Sequence, residues 1–302
     1  MYDIIVIGGG PAGLTAALYA CRANKSVLVI EKGSFGGQIT FSPKVENIPG
    51  FTEVTGNAFA ELLVEQVLSQ NAAVECAEVL SVKDGPIKTV ITDAGEFTAK
   101  AVIVATGAKH RLLGLEHEEE YIGDGISFCA VCDGAFYEGK TVAVIGGGNS
   151  ALQEALLLSD LANTVYVIQN LASFTGEQTL VERLKTKNNV HFMFETVVAR
   201  LIGNPSFCGI EVQNTASGSS QVLDLDGMFV AIGLVPQNDI VGDIVALNDY
   251  GYIVAGEDCT TAADGIFVAG DCRTKRVRQV TTAASDGAIA ALAACSYIDS
   301  QG

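Results

Sequence analysis

The chain has 302 residues, 49% of them hydrophobic, with 33 glycines and 6 prolines, which suits about two domains with sizeable cores and excludes a linker-like, low-complexity chain. With 35 acidic residues against 18 basic ones the net charge is −17, and without a long basic tract no nucleic-acid partner is expected. No apolar run approaches the about 20 residues of a membrane span, and the first residues, with Asp3 and early glycines in place of a basic segment, do not read as a signal peptide, so the expected location is the cytoplasm.

In chain order, Asp3–Ile7 predicts a strand and Gly8-Gly9-Gly10-Pro11-Ala12-Gly13 a tight turn. A helix of small residues follows, then a second strand, Val27–Ile30, ending at Glu31. Glycines in such a turn let the backbone approach a pyrophosphate, and the helix N-terminus faces that anion. Glu31 stands where a carboxylate can bind ribose hydroxyls, so strand, turn, helix and acid agree on a dinucleotide site.

Next comes Cys129-Ala130-Val131-Cys132-Asp133-Gly134. Two thiols at this spacing suit reversible disulfide chemistry, and the helical turn that such a pair usually opens lowers the pKa of one thiol. Asp133 can pass a proton to or from a leaving thiolate. Half a zinc site is the competing reading. It needs a second close pair, but Cys208, Cys259, Cys272 and Cys295 are well separated and the 3 histidines are not at ligand spacing. No metal is expected, and the other six of the 8 cysteines read as small buried hydrophobes.

The first pattern then returns. Val142–Ile145 leads into Gly146-Gly147-Gly148-Asn149-Ser150-Ala151, a helix over Leu152–Leu161 and a strand over Val165–Ile168. Gly8, Gly10 and Gly13 correspond to Gly146, Gly148 and Ala151, and Glu31 corresponds to Gln169. An NAD site usually carries an acid there and an NADP site a nearby Arg. This sequence has Gln169-Asn170-Leu171 and no basic residue before Arg183. Each lost charged hydrogen bond costs about 1.5–3 kcal/mol, so NADPH is expected to be a poor ligand. Gln169 can still bond a ribose hydroxyl, and a purely structural turn fits the same residues.

Together these residues resemble the thioredoxin reductase family of flavoproteins, nearly end to end. Gly8, Gly10, Pro11, Ala12, Gly13, Glu31 and Lys32 match its FAD fingerprint. Gly36-Gly37-Gln38 and Glu46–Gly50, with Asn47, match the stretch that approaches the flavin. Val79 matches the backbone touching the adenine, and Ala105-Thr106-Gly107 its ATG turn. Gly270-Asp271 matches the aspartate on the ribityl chain, and Arg278-Gln279-Val280 the segment beside the isoalloxazine. The resemblance implies an α/β protein of two Rossmann-like domains, the second inserted into the first. The FAD domain would take residues 1–113 and 244–302, and the CxxC domain 114–243, with Val230–Gly233 and Ile266–Gly270 as closing strands. It also implies a homodimer.

The sequence departs from the family where NADPH would be read. A His-Arg-Arg run and a further Arg are replaced by Gln169-Asn170-Leu171 and Thr175, and an Asp and a Glu by Asn149 and Gln153. That combination resembles the ferredoxin-dependent flavin thioredoxin reductases. It implies that reduced ferredoxin supplies the electrons, that Cys132 faces the flavin, that Cys129 attacks the disulfide of thioredoxin and that Asp133 handles the proton. Arg273, Lys275, Arg276 and Arg278 form the densest basic cluster and could steer an acidic ferredoxin. An NADH- or NADPH-dependent reductase, a dithiol oxidase passing electrons to oxygen and a non-catalytic redox sensor remain alternatives.

Overall fold

The computed structural model describes residues 1–203 and 205–301. The chain divides into two units: Met1–Lys109 with the stretch that begins at Val235, and His110–Leu234 between them.

In the first unit the order is β1 (Tyr2–Ile7), α1 (Pro11–Arg22), β2 (Val27–Glu31), α2 (Gly56–Ser69), β3 (Ala73–Cys76), β4 (Val79–Lys83), β5 (Lys88–Thr92) and β6 (Gly95–Val104). The strands line up as β3-β2-β1-β6-β5-β4. β3, β2, β1 and β6 run parallel, whereas β4, β5 and β6 form an antiparallel meander. The β1 side chains alternate between two cores: Ile4 and Val6 face α1, and Ile5 and Ile7 pack with Val82 and Val90 of the meander. A strand covered on both faces has to be apolar throughout, as β1, β2 and the end of β6 are.

The chain leaves through β7 (Ala108–His110). The second unit then holds β8 (Ile126–Ser127), α3 (Ala130–Asp133), β9 (Thr141–Ile145), α4 (Asn149–Ser159), β10 (Thr164–Ile168), α5 (Gln178–Lys185), β11 (Val190–Met193), β12 (Thr196–Gly203), β13 (Phe207–Asn214), β14 (Ser220–Asp224) and β15 (Gly227–Val230). Its parallel sheet has the order β11-β10-β9-β15-β8, and β12-β13-β14 is a separate antiparallel sheet. α4 and α5 cover one face through Leu152, Ala155, Leu158, Val181 and Leu184, and the antiparallel sheet covers the other through Val198, Ile210 and Val212.

The chain returns through β16 (Leu234–Pro236) to β17 (Ile266–Val268), beside β6, and α6 (Val280–Ser300). α6 packs on α1 through small residues; a Cβ on Gly287 would lie 2.2 Å from the Ala12 carbonyl oxygen. Both units are thus three-layer, Rossmann-like α/β bodies with the second inserted into the first, as the sequence predicts. The crossings differ from the predicted 113 and 244 for a packing reason. Leu113 packs with the second unit's core, whereas Val241 lies in the first unit's core with Ile5 and Leu28. Gly302, the end of the predicted 244–302 segment, lies outside the described residues.

Candidate active site

The first unit gathers the predicted flavin-binding residues at the C-terminal ends of its parallel strands. Gly8 takes φ +111°, and a Cβ there would lie 2.3 Å from the Ala105 carbonyl oxygen, while one on Gly13 would lie 1.9 Å from the Gly8 oxygen. Gly10, the N-cap of α1, differs: a Cβ there would meet nothing closer than atoms of Gly36 and Gly37 at 3.9 Å, which leaves the backbone open to an approaching group. Pro11 opens the helix, and Ala12 is buried against Gly270. One Glu31 oxygen accepts from the Gly9 amide at 2.7 Å and the other from the Gly33 amide at 2.9 Å. Lys32 pairs with Glu78 at the surface, 3.2 Å apart. Val79 opens β4, held near the end of β2 by the bond from the Ala77 amide to the Glu31 carbonyl.

Gln38 donates to the Ala108 carbonyl, and Asn47 donates to the Gln279 side chain at 3.2 Å. The Ala105 amide donates to the Ile7 carbonyl, Thr106 bonds Asn238 at 3.1 Å, and Gly107 takes φ +70°. Gln279 caps α6 just before Val280, and the Arg278 guanidinium lies 4.4 Å from the centre of the Tyr252 ring. Asp271 is the informative member. Its Oδ1 is buried without a hydrogen-bond partner, and burial pushes its carboxyl above the ordinary value despite Lys275 and Arg278. A hydroxylated chain along Asp271 would satisfy that oxygen, and a pyrophosphate at Gly10 would use the open turn. The residues therefore fit FAD.

In the second unit Cys129 and Cys132 are joined as a disulfide, with Cα atoms 5.3 Å apart. Cys129 is the N-cap of α3, and its Sγ accepts from the Cys132 amide at 3.2 Å. Val131, between them, is 66% exposed. Asp133 ends the turn. Its Oδ2 accepts from Ser127 Oγ at 2.5 Å, and the same Oγ accepts from the Cys129 amide at 3.1 Å. Burial raises the Asp133 pKa, against the Ser127 hydrogen bond, and its Oδ1 has no partner. An acid whose protonated form is favoured in this way, beside a disulfide, can protonate a leaving thiolate.

Residues 2–287 match the family described as pyridine nucleotide-disulphide oxidoreductase. The chain belongs to that family. It is 38% identical to a thioredoxin reductase of Listeria monocytogenes over 99% of this chain and 94% of the relative. It is 39% identical to one of Treponema pallidum over 99% and 97%. A crystal structure of thioredoxin reductase from Streptococcus pyogenes superposes with a TM-score of 0.95 at 37% identity, covering 99% of each chain. The protein is accordingly a flavin disulfide oxidoreductase with FAD as its cofactor.

Within this family frame, the second glycine turn is filled by its own chain. Gln169 is 5% exposed, and a Cβ on Gly147 would lie 2.2 Å from its Nε2. Its Oε1 accepts from the Asn170 amide at 3.1 Å. The Thr175 and Gly176 amides bond the Gly147 carbonyl, and Asn149 Oδ1 accepts from the Glu177 amide at 2.7 Å. No group of three or more His, Cys, Asp or Glu placed for a metal occurs among the described residues.

The basic cluster is corrected. Arg273 and Lys275 point inward, their side chains 9% and 6% exposed, and bond Asp286 at 2.8 and 2.9 Å. Asp286 also accepts from the Gly270 amide at 3.0 Å. Two of the four cations therefore hold the ribityl-side loop and cannot form a docking face; Arg276 alone of the four is well exposed. Sequence reasoning missed Ser127, Asn238, Asp286 and Glu154. Only Glu154 carried a signal, as the one charged residue of α4.

Proposed function

We propose that the protein reduces the disulfide of thioredoxin or a thioredoxin-like protein. The observation that carries this reading is the Cys129–Cys132 disulfide with exposed Val131 between its half-buried sulfurs and Asp133 at the end of the same turn. When bound, FAD supplies storage for two electrons. Cys129, at the N-cap, attacks the substrate disulfide, Cys132 resolves the mixed disulfide, and Asp133 protonates the leaving sulfur. The relatives' name, thioredoxin reductase, supports the same substrate, and the resemblance adds a homodimer.

For the electron donor we infer reduced ferredoxin, a one-electron carrier. The loop from Gln169 to Gly176 carries no basic side chain for a 2′-phosphate, and Gln169 is tied into its own loop. The family description, pyridine nucleotide-disulphide, supports NADPH as the rival. Anaerobic mixing of the oxidised holoprotein with NADPH, NADH and reduced ferredoxin, followed by flavin absorbance, separates them. The expected result is bleaching by ferredoxin alone, with thiols then appearing on added thioredoxin. Rapid bleaching by NADPH would overturn the donor, and a bleached flavin that leaves thioredoxin oxidised would overturn the substrate.

A further inference from the structure

One buried hydroxyl ties the redox turn to the parallel sheet. In β8, Ile126 packs in the core beneath the antiparallel sheet, so the next side chain, Ser127, points to the opposite face, where α3 and α4 lie. A hydroxyl buried in such an apolar layer is costly unless it is bonded. Ser127 finds both of its partners in the turn. Its Oγ accepts from the Cys129 amide at 3.1 Å and donates to Asp133 Oδ2 at 2.5 Å. The amide fixes that direction: Oγ receives the amide hydrogen on a lone pair, and its own hydrogen is left for the carboxyl. Oδ2 is therefore an acceptor, and a proton on this carboxyl sits on Oδ1, which is buried without a hydrogen-bond partner.

We propose that Ser127 is a positioning residue for the redox reaction: its hydroxyl holds the Asp133 carboxyl to the backbone of Cys129, so that Oδ1 is the oxygen that exchanges protons with sulfur. This rests on the disulfide-reductase reading, with Asp133 as its acid. Two further bonds fix the same turn. The Cys132 amide donates to Cys129 Sγ at 3.2 Å, and the Asp133 amide to the Cys129 carbonyl at 3.0 Å. Ser127 adds the link from the acid's side chain to the residue whose sulfur attacks. Burial raises the Asp133 pKa, and the Ser127 bond opposes it, because a hydroxyl hydrogen stabilises the carboxylate. α4 and the turn Gly134–Tyr137, which pack against α3, carry no basic residue. Their ionisable groups are Glu154 and Tyr137, raised to about 8 and about 12 by burial first and then by neighbouring carboxylates.

The proton balance closes on Oδ1. Cys129 passes its thiol proton there and attacks; the substrate S–S bond breaks, a mixed disulfide forms, and the leaving substrate sulfur takes the proton from Oδ1. Cys132 then gives its proton to Oδ1 and attacks the Cys129 sulfur, and the second substrate sulfur leaves with that proton. Two electrons and two protons pass from dithiol to substrate, and Asp133 and Ser127 end unchanged.

The test is a ratio of two rates. Holoprotein with the exposed thiols Cys76 and Cys208 replaced by serine is reduced with dithiothreitol and desalted anaerobically. It is mixed with hydroxyethyl disulfide, whose alkyl thiol needs a proton to leave, or with dithiobis(nitrobenzoate), whose aromatic thiol leaves readily as an anion. Remaining protein thiols are quenched and counted. Asp133→Asn should lower the ratio of alkyl to aromatic rate roughly 100-fold, the contribution of a positioned acid, and Ser127→Ala about tenfold, a part of it. Ser127→Thr keeps the hydroxyl and should keep the wild-type ratio. In the Asp133→Asn background, Ser127→Ala should lower the ratio no further, because the two groups act as one unit. An unchanged ratio in Ser127→Ala overturns the proposal, whether both rates slow equally or neither does, and so does a further fall in the double variant. A wild-type ratio in Asp133→Asn overturns Asp133 as the acid, and a reduced wild type that reacts with neither disulfide overturns the reductase reading itself. Infrared titration of the carboxyl band that Asp133→Asn removes gives an independent readout. Its midpoint should move up in Ser127→Ala, where burial acts unopposed. A midpoint that moves down means that water has entered a loosened turn, and it overturns the proposal.

Discussion

Glu31 ends β2 and Gln169 directly follows the equivalent strand β10, and they hold the glycine turns before α1 and α4 in different ways. The Glu31 carboxylate accepts from the Gly9 amide at 2.7 Å, and its remaining lone pairs can accept from hydroxyls. The Gln169 amide instead lies against Gly147 and donates to the Ser173 carbonyl at 3.4 Å. One turn is arranged around an acceptor, the other around a side chain that closes on its own loop.

A gain of function follows at the second turn. Asn170 and Leu171 are exposed, so Asn170→Arg with Leu171→Arg adds two guanidinium groups without disturbing a core. Each charged hydrogen bond to a 2′-phosphate contributes about 1.5–3 kcal/mol, so NADPH should bind at least roughly tenfold more tightly. Titration of the protein with NADPH, followed by fluorescence, checks it. Unchanged affinity would remove this loop as the determinant.

The first turn separates packing from ligand approach. Gly13→Ala places a Cβ 1.9 Å from the Gly8 oxygen, a backbone clash with or without flavin, and should yield little folded protein. Gly10→Ala meets nothing closer than 3.9 Å, at an ordinary φ of −80°. The apoprotein of Gly10→Ala should melt within a few degrees of wild type but bind FAD at least about tenfold more weakly, because the methyl occupies the path of the pyrophosphate. Equal FAD affinity would place the pyrophosphate elsewhere.

Asp286 holds two buried cations, so removing its charge leaves both unpaired. Asp286→Asn is expected to destabilise the protein by about 3–5 kcal/mol, read by chemical denaturation. Burial pushes the Asp286 carboxyl up, but hydrogen bonds from Arg273 and Lys275 bring it below its ordinary value. A depressed folded-state pKa contributes stability above the unfolded-state value, near 4, that is lost as pH falls through the folded value. Wild type should therefore lose stability below about pH 4 more steeply than Asp286→Asn. Parallel acid profiles would mean that the three groups do not titrate as one unit.

The fold was legible because its pattern is written twice. Apolar runs at Ile4–Ile7 and Val142–Ile145, each followed by three glycines, admit few arrangements other than a parallel strand, a turn and a helix. The disulfide was legible from spacing alone. What escaped depends on distant residues. Asp286 reaches Arg273 and Lys275 from mid-helix, and the charge cluster read as a surface because linear order does not reveal which cations find an internal carboxylate. Ser127 bonds Asp133 only because β8 and α3 bring them together. Asn238, which bonds the Gly251 and Cys272 carbonyls, ties loops that are well separated in sequence.

The two cysteines should part company when replaced singly. In Cys132→Ser the Cys129 thiol keeps its N-cap position and can attack a substrate disulfide, but nothing resolves the product, so a mixed disulfide with thioredoxin should accumulate. In Cys129→Ser the attacking sulfur is gone, and Cys132 is left with its own amide directed at residue 129. Non-reducing gels of each variant with oxidised thioredoxin should show an adduct for Cys132→Ser and none for Cys129→Ser. An adduct with Cys129→Ser alone would exchange the roles of the two sulfurs. An adduct with neither would mean that this turn does not meet thioredoxin.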